Sequence, residues 1–395
     1  MTGPERISGD WLTGPEITQV FALLQAGGHQ VYAVGGCVRD ALLGARVNDI
    51  DLSTNALPTR VTELARAAGL TTIPTGIDHG TVTVLAGGIP FEITTWRRDV
   101  ETDGRRAVVA FAERIEDDAM RRDFTMNALY AAPDGRLLDP LGGGITDAHA
   151  RHIRFIGTPE ARIREDYLRI LRFFRFYAWF GDAAEGPDPE GLAACAALAE
   201  GLDTISRERV GAELKKLLSA PDPAPSLAAM QASGVLTRVL PGADARAMAL
   251  LVHLEEGLSP APTPAWPRRL ALLSAAMEGV NLTRSLRLSR EEGTGLAQRC
   301  KAVQDGGATA RLGQELGAGA AQDAILARAA LLETPPPQGF QAEIARGAAA
   351  VFPVTAADLM PEFSGPALGE RMRVLREAWL AADLRPGKEA LLALP

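Results

Sequence analysis

The stretch VYAVGGCVRDALLGARVNDIDLSTNALP, residues 31–58, places a glycine pair, an arginine and two closely spaced carboxylates between two short apolar runs. The runs HQVYAVGG and DIDLST predict two β-strands, because aliphatic and β-branched residues favour strands and glycines end the first run. Asp49 and Asp51 lie two residues apart, so in a strand both project from one face while Ile50 and Leu52 face the other way. The stretch therefore predicts a sheet with a polar site on one face.

Gly35, Gly36 and Arg39 indicate what this polar site binds. Glycines let backbone amides come close to a phosphate group, and a guanidinium offers a planar fork of donors to phosphate oxygens. Asp49 and Asp51 repel each other unless a cation lies between them, and Mg²⁺ takes oxygen ligands while leaving positions for phosphate. A DxD pair alone is more typical of a solvated turn. The whole string GGxVRDxLLGxxxxDxD predicts a nucleoside-triphosphate site with Mg²⁺.

The chain changes character at about residue 150. Before that point, strand-like runs alternate with glycine-rich turns, and GTVTVLAGGIPFEITTW predicts a β-hairpin around Gly87 and Gly88. PTRVTELARAAG predicts a helix with Pro58 near its start and Gly69 at its end. Beyond residue 150, apolar residues recur at helical spacing between Pro- and Gly-rich linkers. We therefore predict an α+β fold, with a small mixed sheet flanked by helices at the front and an all-α part behind.

Composition limits the class of protein. A chain of 395 residues is too long for one compact core and predicts two to four domains. No apolar run reaches the roughly 18 residues that span a bilayer, and the start MTGPERISGDW lacks the apolar segment of a secretory signal. Cys37, Cys195 and Cys300 are widely spaced, which argues against a zinc site or a disulfide framework. These features predict a cytoplasmic protein with no membrane partner.

A third carboxylate is a candidate for the same site. In IPFEITTWR, strand alternation turns Phe91 and Ile93 inward and Glu92 outward. A strand beside the DxD strand would place Glu92 next to the same ions, and we predict this arrangement. The alternative is an ordinary glutamate that faces solvent.

The stretch RRDFTMNALY, residues 121–130, carries more polar groups than a core helix accepts. Arg122, Asp123 and Asn127 cannot all point to one place from a single straight helix, whereas a strand-to-helix corner could bring them together. We predict that all three contact the nucleotide. A structural ion pair between Arg122 and Asp123 is the competing interpretation.

In IREDYLRILRFFRF, charged residues recur every three positions, at Asp166, Arg169, Arg172 and Arg175. Asp166 can accept from an exocyclic amino group, and Arg169 can donate to the neighbouring ring nitrogen. Cytosine and adenine both offer that pattern, whereas uracil and guanine present a carbonyl to the carboxylate. A buried mismatch of this kind costs about 1–3 kcal/mol. The stretch thus predicts a helix that selects CTP and ATP, and the alternative is a solvated face of Asp–Arg pairs.

These stretches, together with DPLGGG and SRERVGAELKKLL, resemble the class II tRNA nucleotidyltransferase and bacterial poly(A) polymerase family. The catalytic head of that family is similar to the polymerase-beta-like nucleotidyltransferases. The resemblance covers roughly residues 30–220. It implies an N-terminal nucleotidyltransferase head followed by an all-α neck, body and tail, at residues 1–150, 151–220, 221–330 and 331–395.

The resemblance also implies roles for individual residues. Asp49 and Asp51 look like the metal-binding carboxylates, and Asp166 and Arg169 look like the base-reading pair. Residues 97–106 match a flexible loop of the family. The predicted catalytic residues are Asp49, Asp51 and Glu92, and the predicted nucleotide contacts are Gly35, Gly36, Arg39, Arg122, Asp123, Asn127, Asp166, Arg169, Arg172 and Arg175.

The implied activity is Mg²⁺-dependent addition of C and A from CTP and ATP to the 3′ end of tRNA. The formal net charge of −8 excludes a generally basic coat, but residues 151–180 hold seven arginines against three acids, so a basic face for tRNA is available. No stable protein partner can be inferred.

Other activities share parts of these motifs. A poly(A) polymerase would use the same head, although EDYLRILRFFRF is more similar to the CCA-adding form. Enzymes that add only A or only CC remain open alternatives. A DxD glycosyltransferase fits less well, because GGxVRD precedes the DxD pair. A fused phosphohydrolase would need a His-Asp doublet, and no histidine in the sequence is followed by Asp.

Overall fold

A computed structural model describes most of the chain, which forms two compact units. The first unit comprises Met1–Ile205 with Ala232–Val235, and the second comprises Ser206–Gln231 with Leu236–Pro395. The described residues are 5–77, 80–103, 106–258, 266–277 and 280–395, without the side chains of residues 75, 99–103 and 106–109.

A mixed seven-stranded sheet forms the centre of the first unit. Its strands run in the order β3-β4-β5-β2-β1-β8-β9, with β2 and β5 parallel and every other neighbouring pair antiparallel. The strands are β1 Val31–Val34, β2 Asp51–Thr54, β3 Thr71–Gly76, β4 Thr81–Ala86, β5 Ile89–Thr95, β8 Tyr130–Ala131 and β9 Leu137–Leu138. The predicted mixed sheet is confirmed.

Local signals explain how this sheet is connected. Gly87 and Gly88 join β4 to β5 with φ angles of 58° and 83°, as a tight two-residue hairpin requires. The helix Pro58–Ala67 begins with proline at its first turn, and Gly69, with φ 74°, follows its end. The predicted hairpin and helix are both present.

Residues 97–111 differ from the predicted flexible loop. The backbone forms two antiparallel strands, β6 Arg97–Asp103 and β7 Arg106–Phe111, in a separate two-stranded sheet. Residues 104–105 lie outside the described part of the chain. Val108, Val109 and Phe111 in RAVVAF are residue types that favour strands, which accounts for β7.

Nine α-helices belong to the described part of the first unit. They are α1 Asp10–Thr13, α2 Pro15–Ala26, α3 Gly36–Leu42, α4 Pro58–Ala67, α5 Ile115–Met120, α6 Gly144–His149, α7 Pro159–Glu165, α8 Leu168–Phe180 and α9 Pro189–Ala197. Helix α8 buries Leu168, Leu171 and Phe174, as its apolar spacing predicts. A 3₁₀ turn at Thr125–Asn127 leads into β8.

The regular structure described after residue 205 is helical, which confirms the predicted all-α part. The helices are α10 Arg207–Leu218, α11 Ala224–Ala232, α12 Val235–Val239, α13 Met248–Glu256, α14 Trp266–Leu273, α15 Leu282–Ser285, α16 Arg290–Asp305, α17 Thr309–Leu316, α18 Ala318–Leu331, α19 Phe340–Ala349, α20 Ala356–Leu359, α21 Gly365–Ala381 and α22 Lys388–Leu392. Among the residues described, no helix is long and apolar enough to cross a membrane.

The second unit contains a buried network of charges. Arg268, only 1% exposed, donates to Glu255 over 2.8 Å and to Asp323 over 2.7 Å. Arg299 donates to the other oxygen of Asp323 over 2.8 Å, and Arg269 donates to Glu255 over 2.6 Å. Each charged group in this network contacts an oppositely charged partner, and the network joins α13, α14, α16 and α18. The division of the chain into head, neck, body and tail stays a prediction.

Candidate active site

Asp51 and Glu92 lie side by side on the central sheet. Strands β2 and β5 pair in parallel, and Asp51 is opposite Glu92 in the register. Directly paired residues present their side chains on the same face. Phe91 and Ile93, the neighbours of Glu92, are buried with 1% and 0% exposure, whereas Glu92 is exposed. The strand alternation therefore places two carboxylates together at the surface.

The protein around Asp51 disfavours its ionised form. Loss of hydration raises the pKa of the Asp51 carboxyl, and the negative charge of Glu92 raises it further. Arg122 acts in the opposite direction, and Asp49, just before β2, adds a smaller upward effect. A bound cation would relieve this repulsion between carboxylates.

The chemistry of these groups fits a hard divalent cation. Within the described ranges, no three His, Cys, Asp or Glu side chains are arranged as a complete ligand set for a metal ion. Mg²⁺ is commonly held by one or two carboxylates, with water and substrate phosphates as its other ligands. Asp51 and Glu92 present two such carboxylates on one face of the sheet, and Asp49 precedes β2, which begins at Asp51.

The glycine pair forms a sharp turn between β1 and α3. Gly35 has φ 75°, a conformation that side chains rarely adopt, and its N–H donates to Leu129 O over 3.1 Å. A β-carbon at Gly35 would lie 3.2 Å from Nη1 of Arg122. Glycine at this position therefore brings the backbone and the Arg122 guanidinium close together.

Arg39 is more deeply enclosed than the sequence predicts. It is 7% exposed, and burial lowers its guanidinium pKa against the opposing effect of Asp40. Nη2 and Nε donate to Asp40 over 2.7 and 2.9 Å, Nη1 donates to Asn127 over 2.7 Å, and the group lies 3.8 Å from the Phe180 ring centroid. All three guanidinium nitrogens of Arg39 therefore donate to protein groups, so Arg39 does not present the open fork toward phosphate that the sequence predicts.

Arg122 pairs with a buried residue that the sequence reasoning missed. Its Nη2 donates to Asp118 over 3.1 Å, and its Nε donates to the Tyr130 hydroxyl over 3.3 Å. The suggested ion pair between Arg122 and Asp123 is wrong, because Arg122 pairs with Asp118 and Asp123 pairs with Arg172. The i,i+4 spacing of Asp118 and Arg122 was the available signal.

Asp123 and Asn127 instead connect α3 to α8. Asp123 accepts from Arg172 Nε over 2.8 Å and from Asn127 Nδ2 over 3.1 Å. The Asn127 oxygen accepts from Arg39, so the relay runs from Asp40 through Arg39, Asn127 and Asp123 to Arg172. Each buried polar group in this relay has a partner, which holds the two helices in one arrangement.

Asp166 is not on the same helix as the three arginines. It lies in the break between α7 and α8 with an extended backbone, and its Oδ1 accepts from Leu168 N over 3.1 Å. Arg169 donates to Glu165 over 2.5 Å and to the Arg162 carbonyl over 2.8 Å. The four charged residues therefore do not form one stripe on a single helix. Asp166 precedes α8, and Arg169 lies in the first turn of that helix.

The remaining two arginines, Arg172 and Arg175, lie near the aromatic ring of Phe176. Arg172 and Arg175 lie 5.6 and 4.4 Å from the Phe176 ring centroid, and Arg39 lies 5.3 Å from it. Phe176 packs near Phe124, with ring centroids 5.0 Å apart. The ring face favours cations, so this cluster holds three guanidinium groups together on one side of α8.

Two buried carboxyl groups predict acid sensitivity. Burial alone would raise the pKa of Asp118 and Asp123, but nearby arginines outweigh it and lower each pKa to about 2. Because these values lie below the ordinary 3.8, ionisation favours the folded state. This contribution is complete above about pH 4 and is lost as pH falls toward 2. We expect the free energy of unfolding to decrease by about 2 kcal/mol per group over that range.

Urea unfolding between pH 5 and pH 2 measures this effect. An Asp118→Asn variant lacks one of the two carboxyls and should show a shallower dependence on pH. A wild-type profile that is flat below pH 4 would contradict the assignment.

Comparison with known proteins bears on the same residues. Residues 31–154 match the family described as Poly A polymerase head domain, and residues 187–246 match Probable RNA and SrmB- binding site of polymerase A. CCA tRNA nucleotidyltransferase 1, mitochondrial, of Homo sapiens is 46% identical over 48% of this chain and 44% of that protein. The alignment with the human protein thus spans less than half of it.

Two comparisons extend over most of the chain. The Mus musculus protein of the same name is 34% identical over 95% of this chain and 88% of its own length. The crystal structure of Bacillus stearothermophilus CCA-adding enzyme in complex with CTP superposes with a TM-score of 0.75. It is 29% identical, over 96% of this chain and 95% of that one.

Proposed function

The chain belongs to the class II tRNA nucleotidyltransferase and poly(A) polymerase family, and from this premise we propose that it adds C and A nucleotides to the 3′ end of tRNA. CTP and ATP are the proposed substrates, and pyrophosphate is the proposed product. The observation that carries this proposal is the pairing of Asp51 with Glu92 on the face where Arg122 lies close to Asp51 and to the Gly35 turn.

In the proposed reaction, the terminal 3′-hydroxyl of the tRNA attacks the α-phosphate of the nucleotide. The bond between the α- and β-phosphates breaks, and pyrophosphate leaves. Enzymes of this class use a divalent metal, and we propose Mg²⁺ held by Asp49 and Asp51, with Glu92 beside them. When bound, such an ion would lower the pKa of the attacking hydroxyl and neutralise charge on the leaving group. Arg122 would contribute a fixed positive charge toward the triphosphate.

Asp166 and Arg169 are proposed to read the base. Their backbones lie at the start of α8, where the Asp166 carboxylate already accepts a backbone N–H and Arg169 is held by Glu165. A carboxylate and a guanidinium in fixed positions can recognise the amine and ring nitrogen shared by cytosine and adenine. Selection of C and A would then need no nucleic-acid template.

Arg39, Arg172 and Arg175 are proposed to act as a group around Phe176. Each guanidinium lies within 5.6 Å of the ring centroid. Because the Arg39 fork is already occupied by Asp40 and Asn127, we propose that Arg39 acts mainly through its charge and through the relay that it anchors. Gly36, at the first turn of α3, is proposed to allow close approach of the phosphates.

The helical part that follows the head is proposed to hold the tRNA, chiefly by shape and phosphate contacts. The neck, body and tail boundaries at residues 151–220, 221–330 and 331–395 belong to this proposal. A cytoplasmic location is also a proposal, supported by the few and widely spaced cysteines.

The product of tRNA extension tests the proposed activity. A tRNA transcript that lacks its last three nucleotides is incubated with CTP alone, with ATP alone and with both. We expect two nucleotides from CTP alone, three from both together, and no further growth. Long A tails on arbitrary RNA would favour a poly(A) polymerase, and extension by A only or CC only would identify a partial enzyme. A transcript that already ends in CCA is the matched control and should stay unchanged.

A further inference from the structure

Asp118 is a fully buried carboxylate that the proposed chemistry does not itself use. It is 0% exposed and lies in α5. Its Oδ2 accepts from the Tyr130 hydroxyl over 2.8 Å, from Arg122 Nη2 over 3.1 Å and from Ser53 Oγ over 3.2 Å, while Oδ1 accepts from Arg121 Nε over 2.8 Å. A carboxylate that satisfies four donors in the interior has little freedom to reorient.

These contacts connect Asp118 to the strand that carries the candidate metal ligands. Ser53 is two residues after Asp51 on β2, so both side chains leave the same face of the sheet. Tyr130 is on β8, which pairs with β1 immediately before the Gly35 turn. Asp118 therefore lies over the sheet between the carboxylate pair and the glycine turn.

These contacts fix the orientation of the Arg122 guanidinium. Its Nε is held by Tyr130 and its Nη2 by Asp118, so the plane of the guanidinium is set by two partners. The third nitrogen, Nη1, lies 3.2 Å from the position of a β-carbon on Gly35. Two nitrogens are thus anchored in the interior, and the third is directed at the turn where we propose that the triphosphate binds.

The local charge balance fits the same direction. Arg121 and Arg122 carry two positive charges, and the one carboxylate that holds both is Asp118. Asp118 compensates one of these two positive charges. A preorganised positive charge in a site shielded from water is worth more toward an anion than one on a flexible side chain.

We infer that Asp118 is a positioning residue for nucleoside-triphosphate binding, which aims Nη1 of Arg122 at the Gly35 turn together with the Tyr130 hydroxyl. This inference rests on the proposed function for the identity of the ligand. It assigns Asp118 no contact with substrate. Because Arg122 contacts phosphates and not the base, Asp118 affects CTP and ATP alike.

Equilibrium binding of CTP and of ATP, measured by calorimetry without tRNA, tests the inference. Asp118→Asn keeps the shape of the side chain and removes its charge, so both dissociation constants should increase about tenfold. In an Arg122→Ala background, the same substitution should change binding by less than about twofold, because its effect passes through Arg122. Equal weakening in both backgrounds would show that Asp118 acts on the structure as a whole and would overturn the inference.

Asp147→Asn is the matched control. Asp147 is also buried, at 4% exposure, and also accepts from an arginine and a hydroxyl, Arg154 and Thr125. It lies outside the proposed triphosphate site, so its substitution should lower thermal stability and leave CTP affinity within about twofold. Equal loss of CTP affinity in the two variants would contradict a specific role for Asp118.

Tyr130→Phe covers the case in which Asp118→Asn does not fold. The substitution removes only the hydroxyl that accepts from Arg122 Nε and donates to Asp118, and it leaves the direct Arg122–Asp118 contact in place. About threefold weaker binding of CTP is expected. Unchanged binding in this variant would overturn the inference. The two proposals can fail separately. Wild-type protein that binds CTP but does not extend tRNA would overturn the proposed function alone, whereas normal extension with unchanged CTP binding by Asp118→Asn would overturn this inference alone.

Discussion

Substitution of Asp51 by alanine is expected to lower kcat/KM for C addition to tRNA by about a thousandfold or more. The reason is that Asp51 is a proposed metal ligand whose carboxylate lies opposite that of Glu92 across β2 and β5, where the two negative charges repel each other. A cation bound between these carboxylates would relieve their repulsion. Removal of the Asp51 carboxylate should therefore remove the cation site. Affinity for tRNA should stay within about twofold, because phosphate contacts elsewhere supply it.

Asp49→Ala and Glu92→Ala extend this prediction. Asp49 should behave like Asp51, since both are proposed metal ligands. Glu92→Ala should also be severely impaired, because Glu92 is paired with Asp51 across β2 and β5. A mild effect of Glu92→Ala would return it to the role of an ordinary surface glutamate.

The control for these variants is an exposed acid in the same unit. Asp134 pairs with Arg6 at the surface and should tolerate substitution by alanine with kcat/KM within about twofold of wild type. Single-turnover kinetics and tRNA binding should be measured on the same preparations. Turnover by Asp51→Ala within about tenfold of wild type would exclude Asp51 as a metal ligand.

Loss of base selection is the second large effect that we expect. Asp166→Ala removes the acceptor for the exocyclic amine and the lone pairs that repel a carbonyl. CTP and ATP should lose affinity, and UTP and GTP should lose their penalty. A hydrogen bond to a charged group is worth about 1.5–3 kcal/mol, so discrimination should decrease about tenfold to a hundredfold. The measurement is kcat/KM for all four nucleotides on one tRNA.

Asp166→Asn separates base reading from the local contact that Asp166 makes before α8. The Asp166 side chain also accepts from the Leu168 N–H, and an asparagine oxygen can replace that contact. The asparagine amide can donate to a carbonyl, so this variant should accept UTP more readily than Asp166→Ala does. Arg122→Ala gives the contrast, because loss of a phosphate contact should weaken all four nucleotides alike. An equal decrease for all four nucleotides in Asp166→Ala would exclude base reading by this residue.

Several features could be predicted from the sequence because they depend on neighbours along the chain. Strand alternation turns Phe91 and Ile93 inward and leaves Glu92 exposed. Positive φ angles at Gly87 and Gly88 form the predicted hairpin. The all-α character of the second unit follows from apolar spacing in the same way. These local signals need no knowledge of where distant segments lie.

Side-chain partners were less predictable, and the arginines illustrate the reason. Arg122 pairs with Asp118, and the adjacent Asp123 pairs with Arg172. Arg39 resembles a surface fork in the sequence, yet it is 7% exposed and anchored by Asn127. A buried charge requires an opposite charge within hydrogen-bond distance, and which one is near depends on how helices and strands pack.

By itself, then, the sequence predicted β1, β2, the hairpin of β4 and β5, the helix α4 and the helical second unit, since each follows from spacing and local backbone preference. It also supplied the residue types of the proposed phosphate and metal site. The strands β6 and β7 lie where the sequence predicted a loop. The sequence predicted Glu92 on a strand beside the DxD strand, and the tertiary structure decided that this pairing is parallel, with Glu92 opposite Asp51. It also decided that Asp118 holds Arg122 toward the Gly35 turn. Parallel pairing and burial join segments that are far apart in the chain, and no local pattern specifies which distant groups will meet.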